Sequence, residues 1–318
     1  MIVVCLMGAT ATGKTDLAIR LCKRFDIDLI SVDSAMVYRG LDIGTGKPDT
    51  AALAEAPHAL IDIRDASERY SAYEFLSDAW RLVKESHARQ RVPMLVGGTM
   101  LYFHAFAKGL AELPEGDSAI RAQIEARGRE EGWGTLHDEL KMTDAPAAAN
   151  IAPRNAARIT RALEVAAVTG KPISWWWRAG NRRGWREDPA LSVLEIDLQH
   201  GDRQRHWQRM SDRLRGMFRA GFVEEVERLR ASSLGLTEAS LSMRAVGYRQ
   251  VWQGLDAGAS EAQMFEAAFT ATRRLAKRQR TWLKRFNSAV PVDCTDRNVG
   301  RRLSALLEQR IPGHTTTS

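Results

Sequence analysis

Cysteine is scarce in this chain. Cys5, Cys22 and Cys294 are the only three in 318 residues, too few and too scattered for a disulfide framework or a zinc site. Cys5 and Cys22 are expected to be buried small hydrophobes. Long apolar runs are also missing: no stretch approaches the roughly 18 uninterrupted apolar residues of a membrane span. The apolar run at residues 2–7 is too short for the core of a secretory leader, and no basic segment precedes it. There is no internal repeat. What remains is ordinary globular composition, 44% hydrophobic and 27% charged, with enough apolar surface for a sizeable core, which excludes disorder as the main state. A cytosolic, monomeric protein with no membrane partner is expected, its length allowing one large domain or two ordinary ones.

The net charge of +7 is unevenly spread. Residues 1–150 hold 17 Lys and Arg against 22 Asp and Glu, a net of −5, whereas residues 151–318 hold 29 against 17, a net of +12. That asymmetry points to an anionic partner meeting mainly the second half, with a merely solvated basic surface as the alternative.

The first 110 residues alternate between strand and helix patterns. Residues 2–7 are continuously apolar, as expected of a buried parallel strand. Residues 14–25 place Leu17, Ala18, Leu21 and Phe25 at helical spacing. Residues 28–33 predict a second strand, 72–90 a helix, and 92–96 a third strand running into Gly97-Gly98-Thr99. This alternation argues for a parallel sheet with helices on both faces. After Leu113-Pro114-Glu115-Gly116, residues 117–170 are rich in Ala, Arg and Glu and read as helices. The stretch 174–188 is basic and tryptophan-rich, and residues 191–197 return to strand. The chain then reads as helical to about residue 287, with a short strand near 290–293 and a frayed tail from Pro312. The layout is an α/β core at 1–113 and 191–318 with C-terminal helices, interrupted by a mostly helical insertion domain at 114–190.

Gly8-Ala9-Thr10-Ala11-Thr12-Gly13-Lys14-Thr15 satisfies the phosphate-loop pattern G-x-x-x-x-G-K-[ST] between a buried strand and an amphipathic helix. Such a loop lets backbone N–H groups converge on phosphate oxygens. The helix dipole and Lys14 add positive charge, and the Thr15 hydroxyl suits Mg²⁺. The fold class implied is α/β, a P-loop NTPase-like parallel sheet core flanked by helices. The loop does not say which polyphosphate it takes. The strand ending in Gly97-Gly98-Thr99 lacks the carboxylate of a nucleoside triphosphatase. The strand before Asp33 does end in one, at the sheet edge where ligands of open α/β sheets bind. By position, Asp33 suits a Mg²⁺ ligand, a general base or a helix N-cap equally.

The phosphate loop, the block Ile30-Ser31-Val32-Asp33-Ser34-Ala35-Met36-Val37-Tyr38-Arg39-Gly40 and Asp42-Ile43-Gly44-Thr45-Gly46-Lys47-Pro48 together resemble the tRNA dimethylallyltransferase (tRNA isopentenyltransferase) family. Further matches are Pro57-His58, Leu95 to Tyr102, Asn155 to Glu164, Arg244 to Arg249 and Ala276-Lys277-Arg278-Gln279 with Thr281-Trp282, so the resemblance runs from about residue 2 to about 290. Two loop positions depart from the usual pattern, Ala9 where Pro is common and Thr12 where Ser is. Both keep the loop's backbone donors. No zinc-finger extension of the eukaryotic kind is present, which points to a bacterial-type enzyme.

The resemblance implies Mg²⁺-dependent transfer of a dimethylallyl group from dimethylallyl diphosphate to N6 of the adenosine just 3′ of the anticodon in the tRNA anticodon stem-loop. A diphosphate rather than ATP then lies in the loop, held by Gly8, Ala9, Thr10, Ala11, Thr12, Gly13, Lys14 and Thr15, with Thr15 on the metal. Asp33 is implied as general base, Thr10 as the residue at the bridging oxygen, and Arg213 as the arginine on the pyrophosphate. For Arg213 the alternative is a solvated charge among Arg203, Arg205, Arg209 and Arg215. Residues implied at the tRNA are Asp33, Ser34, Ala35, Met36, Thr99, Arg121, Ala157, Arg158, Ile159, Thr160, Arg161, Arg244, Ala245, Val246, Gly247, Tyr248, Arg249, Lys277, Arg278, Gln279, Arg280, Thr281, Trp282, Leu283 and Lys284.

Elementary charge patterning agrees for the last group. Arg273, Arg274, Lys277, Arg278, Arg280, Lys284 and Arg285 place seven cations in 13 residues with no acid among them. On a helix, 273/277/280/284 predict one cationic stripe with 274/278/285 beside it, and Leu275, Trp282 and Phe286 face the core. The tryptophans of 174–186 suit either stacking on RNA bases or packing within the insertion. Packing is favoured, because Trp175-Trp176-Trp177 is not part of the family pattern. His58, beside Pro57, is expected to pack or hydrogen-bond.

Overall fold

The computed structural model describes residues 1–179 and 181–311, leaving out the side chains of 181–183. The expected fraying from Pro312, and the Arg182 and Arg183 side chains of the tryptophan-rich stretch, lie outside the described residues. In chain order the elements are β1 (Ile2–Gly8), α1 (Lys14–Cys22), β2 (Ile27–Val32), α2 (Thr50–Glu55), β3 (His58–Ala59), α3 (Ala72–Ala88), β4 (Val92–Gly97) and α4 (Met100–Lys108). They continue with β5 (Gly109–Ala111), α5 (Ser118–Glu130), α6 (Trp133–Thr143), α7 (Ala145–Asn150), α8 (Ala156–Thr169), α9 (Ile173–Ala179) and β6 (Asn181–Arg183). The last are β7 (Ser192–Gln199), α10 (Arg203–Arg219), α11 (Phe222–Ala231), α12 (Tyr248–Asp256), α13 (Glu261–Leu283), β8 (Val290–Asp293) and α14 (Val299–Arg310).

The chain divides into two compact units, one of residues 1–106 and 189–318, the other Ala107–Asp188. The first is built on a six-stranded parallel sheet of order β3-β2-β4-β1-β7-β8. β1 lies between β4 and β7, so its residues are buried on both faces, and that is why its sequence is apolar throughout. The register places the sheet's business edge. Met7 pairs with Gly97 and with Asp197, and Val32 pairs with Gly97. The chain leaves β1, β2 and β4 at the same level, which brings Gly8, Asp33 and Gly98 to one carboxyl-side edge. The connection order reverses around β1, and ligands of open α/β sheets bind at such a reversal.

One face of the sheet packs Val4, Leu6, Leu194 and Ile196 against Leu17 and Leu21 of α1 and Leu303 and Leu307 of α14. Helix α14 is not signalled by the sequence. Its three leucines are matched by three arginines, and the sheet below shows which face is buried. Cys5 is buried as expected, but Cys22 is only half-buried, packed at the margin of this core. Burial pushes the thiol pKa of both upward. His58 sits on β3 and uses Nδ1 to bond the Ala56 carbonyl at 2.7 Å.

The second unit packs α5, α6, α7, α8 and α9 around Ile124, Leu136, Leu140, Ile159, Leu163 and Ile173. It starts at residue 107 and ends at 188, rather than running from 114 to 190. The reason is an antiparallel β5–β6 pair, Gly109 opposite Arg183, which closes the unit at its two chain ends. Trp133, Trp176 and Trp177 pack on this core. Two of the three consecutive tryptophans are therefore packing residues. Trp175 is 37% exposed, with the Lys171 ammonium 3.8 Å above its ring.

Candidate active site

The phosphate loop follows β1 directly. Ala11 and Gly13 both have left-handed backbone, with φ of 62° and 85°. Alternating handedness turns successive N–H groups to one side and makes an anion-binding nest. Gly13 meets this requirement without strain, while Ala11 is held there by its surroundings. Ala9 and Ala11 are buried against Met210 of α10 and Ala276 of α13, with Trp207 and Phe269 alongside. The loop is therefore clamped from outside. Thr12 is 2% exposed and its hydroxyl donates to the Ala9 carbonyl at 2.9 Å, so this side chain braces the loop instead of facing an anion.

Lys14 donates from Nζ to the same Ala9 carbonyl at 2.7 Å. Burial, joined by the nearby Arg213 guanidinium, pushes its pKa down to about 7, with Asp33, Cys294 and Asp197 opposing the shift. A lysine held short of full protonation suits a site awaiting negative charge. Asp197, at the carboxyl end of β7, is one source of the opposing field. It is 8% exposed, accepts from Gln199 Nε2 at 2.7 Å through Oδ2, and leaves Oδ1 buried without a hydrogen-bond partner. Burial raises its carboxyl pKa, with the Gln199 bond and Lys14 acting the other way.

Asp33 follows β2 and is half-buried. Its Oδ1 accepts from the backbone N–H groups of Ala35 at 2.8 Å and Met36 at 3.2 Å, so it caps the turn after the strand. Oδ2 accepts no hydrogen bond from any described residue. The cap and the free oxygen coexist on one carboxylate. Thr99 Oγ1 accepts from the Ser34 N–H at 3.1 Å, tying the turn after β2 to the loop after β4. Arg213 on α10 reaches across to the loop, NH1 lying 3.3 Å from Thr10 Oγ1. Arg213 is exposed overall, with neighbouring protein atoms crowding its guanidinium. That crowding lowers its pKa, with Asp33 opposing, and the group stays protonated. No group of three or more His, Cys, Asp or Glu among the described residues is placed to hold a metal. The Thr15 hydroxyl is a free oxygen at the edge, which suits Mg²⁺, an ion that takes most of its ligands from phosphate and water.

The residues expected at RNA separate by burial. Ile159, Thr160, Gly247, Tyr248, Gln279 and Leu283 are buried and offer no side-chain surface to a polyanion. Arg121 and Arg161 are engaged by Glu164, which is 0% exposed, at 2.7 Å and 2.8 Å. Removing a carboxylate from water requires partners, and these two arginines serve that purpose. Ala157 and Arg158 are exposed beside them. In the other unit Arg244, Arg249, Lys277, Arg278, Thr281 and Lys284 are exposed, and Ser34 is too. Ala35, Met36, Thr99, Ala245, Val246, Arg280 and Trp282 are half-buried. The expected 273/277/280/284 stripe is corrected: Arg273 sits over Trp207, 3.9 Å from the ring centre, and Arg280 is half-buried. The exposed cations are Arg274, Lys277, Arg278, Lys284 and Arg285, because the buried stripe runs through Ala276, Gln279 and Leu283.

A family model described as IPP transferase matches residues 36–286, most of the chain. The chain belongs to this family. It is 47% identical over 308 residues to the tRNA dimethylallyltransferase of Thiobacillus denitrificans, covering 97% of this chain and 96% of the relative. It is 49% identical over 284 residues to that of Alkalilimnicola ehrlichii, covering 89% and 87%. Among solved structures, the tRNA isopentenylpyrophosphate transferase of Bacillus halodurans matches with a TM-score of 0.67 at 32% identity, over 97% of each chain. A eukaryotic dimethylallyltransferase captured acting on tRNA shares the fold, with a TM-score of 0.76 at 22% identity over 97% of this chain and 78% of that one.

Three residues of this chain have roles that sequence alone does not reveal. Gln279, expected at RNA, instead bridges two loops: its Oε1 accepts from Thr10 N–H at 2.9 Å and its Nε2 donates to the Gly98 carbonyl at 2.9 Å. His206 on α10 bonds the Thr10 carbonyl through Nε2 at 2.8 Å and stacks on His200. Together they hold Thr10 from both sides. Asp197 is visible in the sequence only as the end of a strand. The one signal available in advance is that a glutamine inside a cationic helix contributes no charge, so its value lies in hydrogen bonding.

Proposed function

We propose that this protein transfers a dimethylallyl group from dimethylallyl diphosphate to N6 of the adenosine just 3′ of the anticodon in tRNA. The observation that carries the reading is the convergence at one sheet edge of an anion nest, an arginine touching Thr10, and a carboxylate with one free oxygen. The names of the relatives at 47% and 49% identity support it.

The allylic C–O bond breaks with positive charge growing on the prenyl carbon and negative charge on the departing pyrophosphate. Preorganised donors at the leaving group lower that barrier most. The loop N–H groups, Lys14 and Arg213 supply them, and Thr10 sits where Arg213 meets the loop. Mg²⁺, when bound, adds positive charge against the pyrophosphate oxygens, and Thr15 would hold it. The attacking amine is a poor nucleophile because its lone pair is shared with the purine ring. Asp33 Oδ2 takes its proton as the new C–N bond forms. The target base has to leave its stack to reach this edge, as in other enzymes that act on bases. The exposed cations of α13 give the RNA backbone its grip.

Two outcomes follow. Replacing Lys277, Arg278 and Lys284 by alanine is expected to weaken stem-loop binding and to flatten the log–log salt dependence by about 0.7–0.9 for each phosphate the protein no longer neutralises. Filter binding at several salt concentrations reads both, and an unchanged slope would remove α13 from the RNA interface. Pyrophosphate release from dimethylallyl diphosphate is expected to require an anticodon stem-loop with adenosine in that position. Release of phosphate from ATP, with none of pyrophosphate from the prenyl donor, would replace this reading with a nucleotide-hydrolysing one.

A further inference from the structure

The segment Asp42 to Lys47 takes no part in the chemistry above, yet it is fastened at both ends. Glu225, on α11, is 3% exposed and both of its oxygens are engaged. Oε2 accepts from the backbone N–H groups of Asp42 at 3.1 Å and Ile43 at 2.8 Å. Oε1 accepts from Gly44 N–H at 3.2 Å and from the Tyr248 hydroxyl. Lys47 clamps the far side, donating to Asp42 and Asp62 at 2.5 Å each and to the Tyr38 carbonyl at 3.1 Å. Between these anchors the loop turns its carbonyls toward α10. Arg213 NH2 lies 3.4 Å from Thr45 O and 3.5 Å from Gly46 O, while its NH1 points to Thr10. The approach is close: Gly46 has φ of 63°, and a Cβ there would come within 2.0 Å of Arg213 NH2.

We infer that Glu225 is a positioning residue: by gathering three backbone N–H groups of the 42–44 loop, it fixes the two carbonyls that aim Arg213 at Thr10 and at the leaving pyrophosphate. The inference rests on the prenyl-transfer reading for its catalytic meaning. The contacts from Arg213 to the loop carbonyls are long and individually weak. A long, flexible arginine held by such contacts is aimed only as well as the loop is held. A buried carboxylate with four donors around it is the kind of fully satisfied group that fixes one local conformation. Glu225→Gln replaces one accepting oxygen with an NH₂ group facing backbone N–H donors, which releases one side of the loop without changing its length.

The test is a double-mutant cycle on pyrophosphate affinity, read by calorimetry on the full chain, with turnover measured alongside. Glu225→Gln is expected to weaken pyrophosphate binding about tenfold, to lower kcat by a similar factor, and to leave stem-loop affinity within about twofold. In the Arg213→Ala background the same substitution is expected to change pyrophosphate affinity less than about twofold, because nothing remains to be aimed. Tyr248→Phe removes one donor and is expected to act in the same direction by about threefold, again only while Arg213 is present. It carries the cycle if Glu225→Gln does not fold. Equal losses with and without Arg213, or no loss with it, overturn the inference. A parent protein that binds pyrophosphate but does not consume dimethylallyl diphosphate overturns the reaction instead, and the binding cycle still decides the role of Glu225.

Discussion

Asp33→Ala is expected to lower turnover by about 10²–10⁴-fold and to leave pyrophosphate affinity within about twofold. The asymmetry follows from where the side chain points. Asp33 makes no hydrogen bond to the phosphate loop; its Oδ1 caps the turn at Ala35 and Met36, and only Oδ2 is free. Loss of the base removes proton acceptance from an amine that attacks poorly without it. Asp33→Asn separates the two jobs, since its amide oxygen keeps the cap and its NH₂ group cannot take a proton. It is expected to lose as much turnover as alanine while melting at the temperature of the parent. Steady-state rates of Asp33→Ala within about threefold of the parent would remove Asp33 from the proton transfer.

Lys14→Met is expected to weaken pyrophosphate binding by about 10–100-fold, the range for removing a charge-assisted hydrogen bond. The larger consequence is in pH. The Lys14 pKa of about 7 belongs to the site without an anion, where burial and Arg213 disfavour the ammonium. An arriving diphosphate favours the ammonium and raises that pKa, so binding takes up a proton above pH 7. Affinity is therefore fully present below about pH 7 and falls by up to about tenfold per pH unit above it, until the raised pKa of the complex is reached. Pyrophosphate has its own titration, which Lys14→Arg isolates, because arginine stays charged throughout. Calorimetry in metal-free buffer between pH 6 and 9 on both proteins is expected to show the parent steeper than the arginine variant by up to about one log unit per pH unit. Identical slopes would mean that Lys14 is already fully protonated in the empty site.

The sequence is most legible where local pattern and burial coincide. β1 and β4 are short apolar runs because the parallel sheet buries both of their faces, and β2 and β7 keep apolar residues at most of their buried positions. The phosphate loop is legible because its glycines and lysine do something no ordinary turn needs. Helix α14 and the β5–β6 pair are not legible, since their stability comes from the partners they meet and not from their own residues. The candidate site divides in the same way. Asp33, Lys14, Thr10 and Arg213 are found through motif and resemblance. Gln279, Glu225 and Asp197 act through hydrogen bonds or charge across more than a hundred residues, and no local window contains both ends of those contacts. The cationic stretch near residue 280 is legible in its charge but not in its face. Arg273 and Arg280 lie toward the protein because the inner stripe runs through Ala276, Gln279 and Leu283, and a glutamine in that stripe is not marked as buried by its type.

The most direct measurement is the position of the product. The protein is incubated with dimethylallyl diphosphate, Mg²⁺ and an anticodon stem-loop, and the RNA is digested and resolved by mass spectrometry. Prenyl transfer predicts a single dimethylallyl group on the adenosine just 3′ of the anticodon, on N6, and none when that adenosine is replaced by guanosine. An unmodified RNA in the presence of folded protein that binds pyrophosphate, or a prenyl group on free adenine nucleotides in place of RNA, would contradict it.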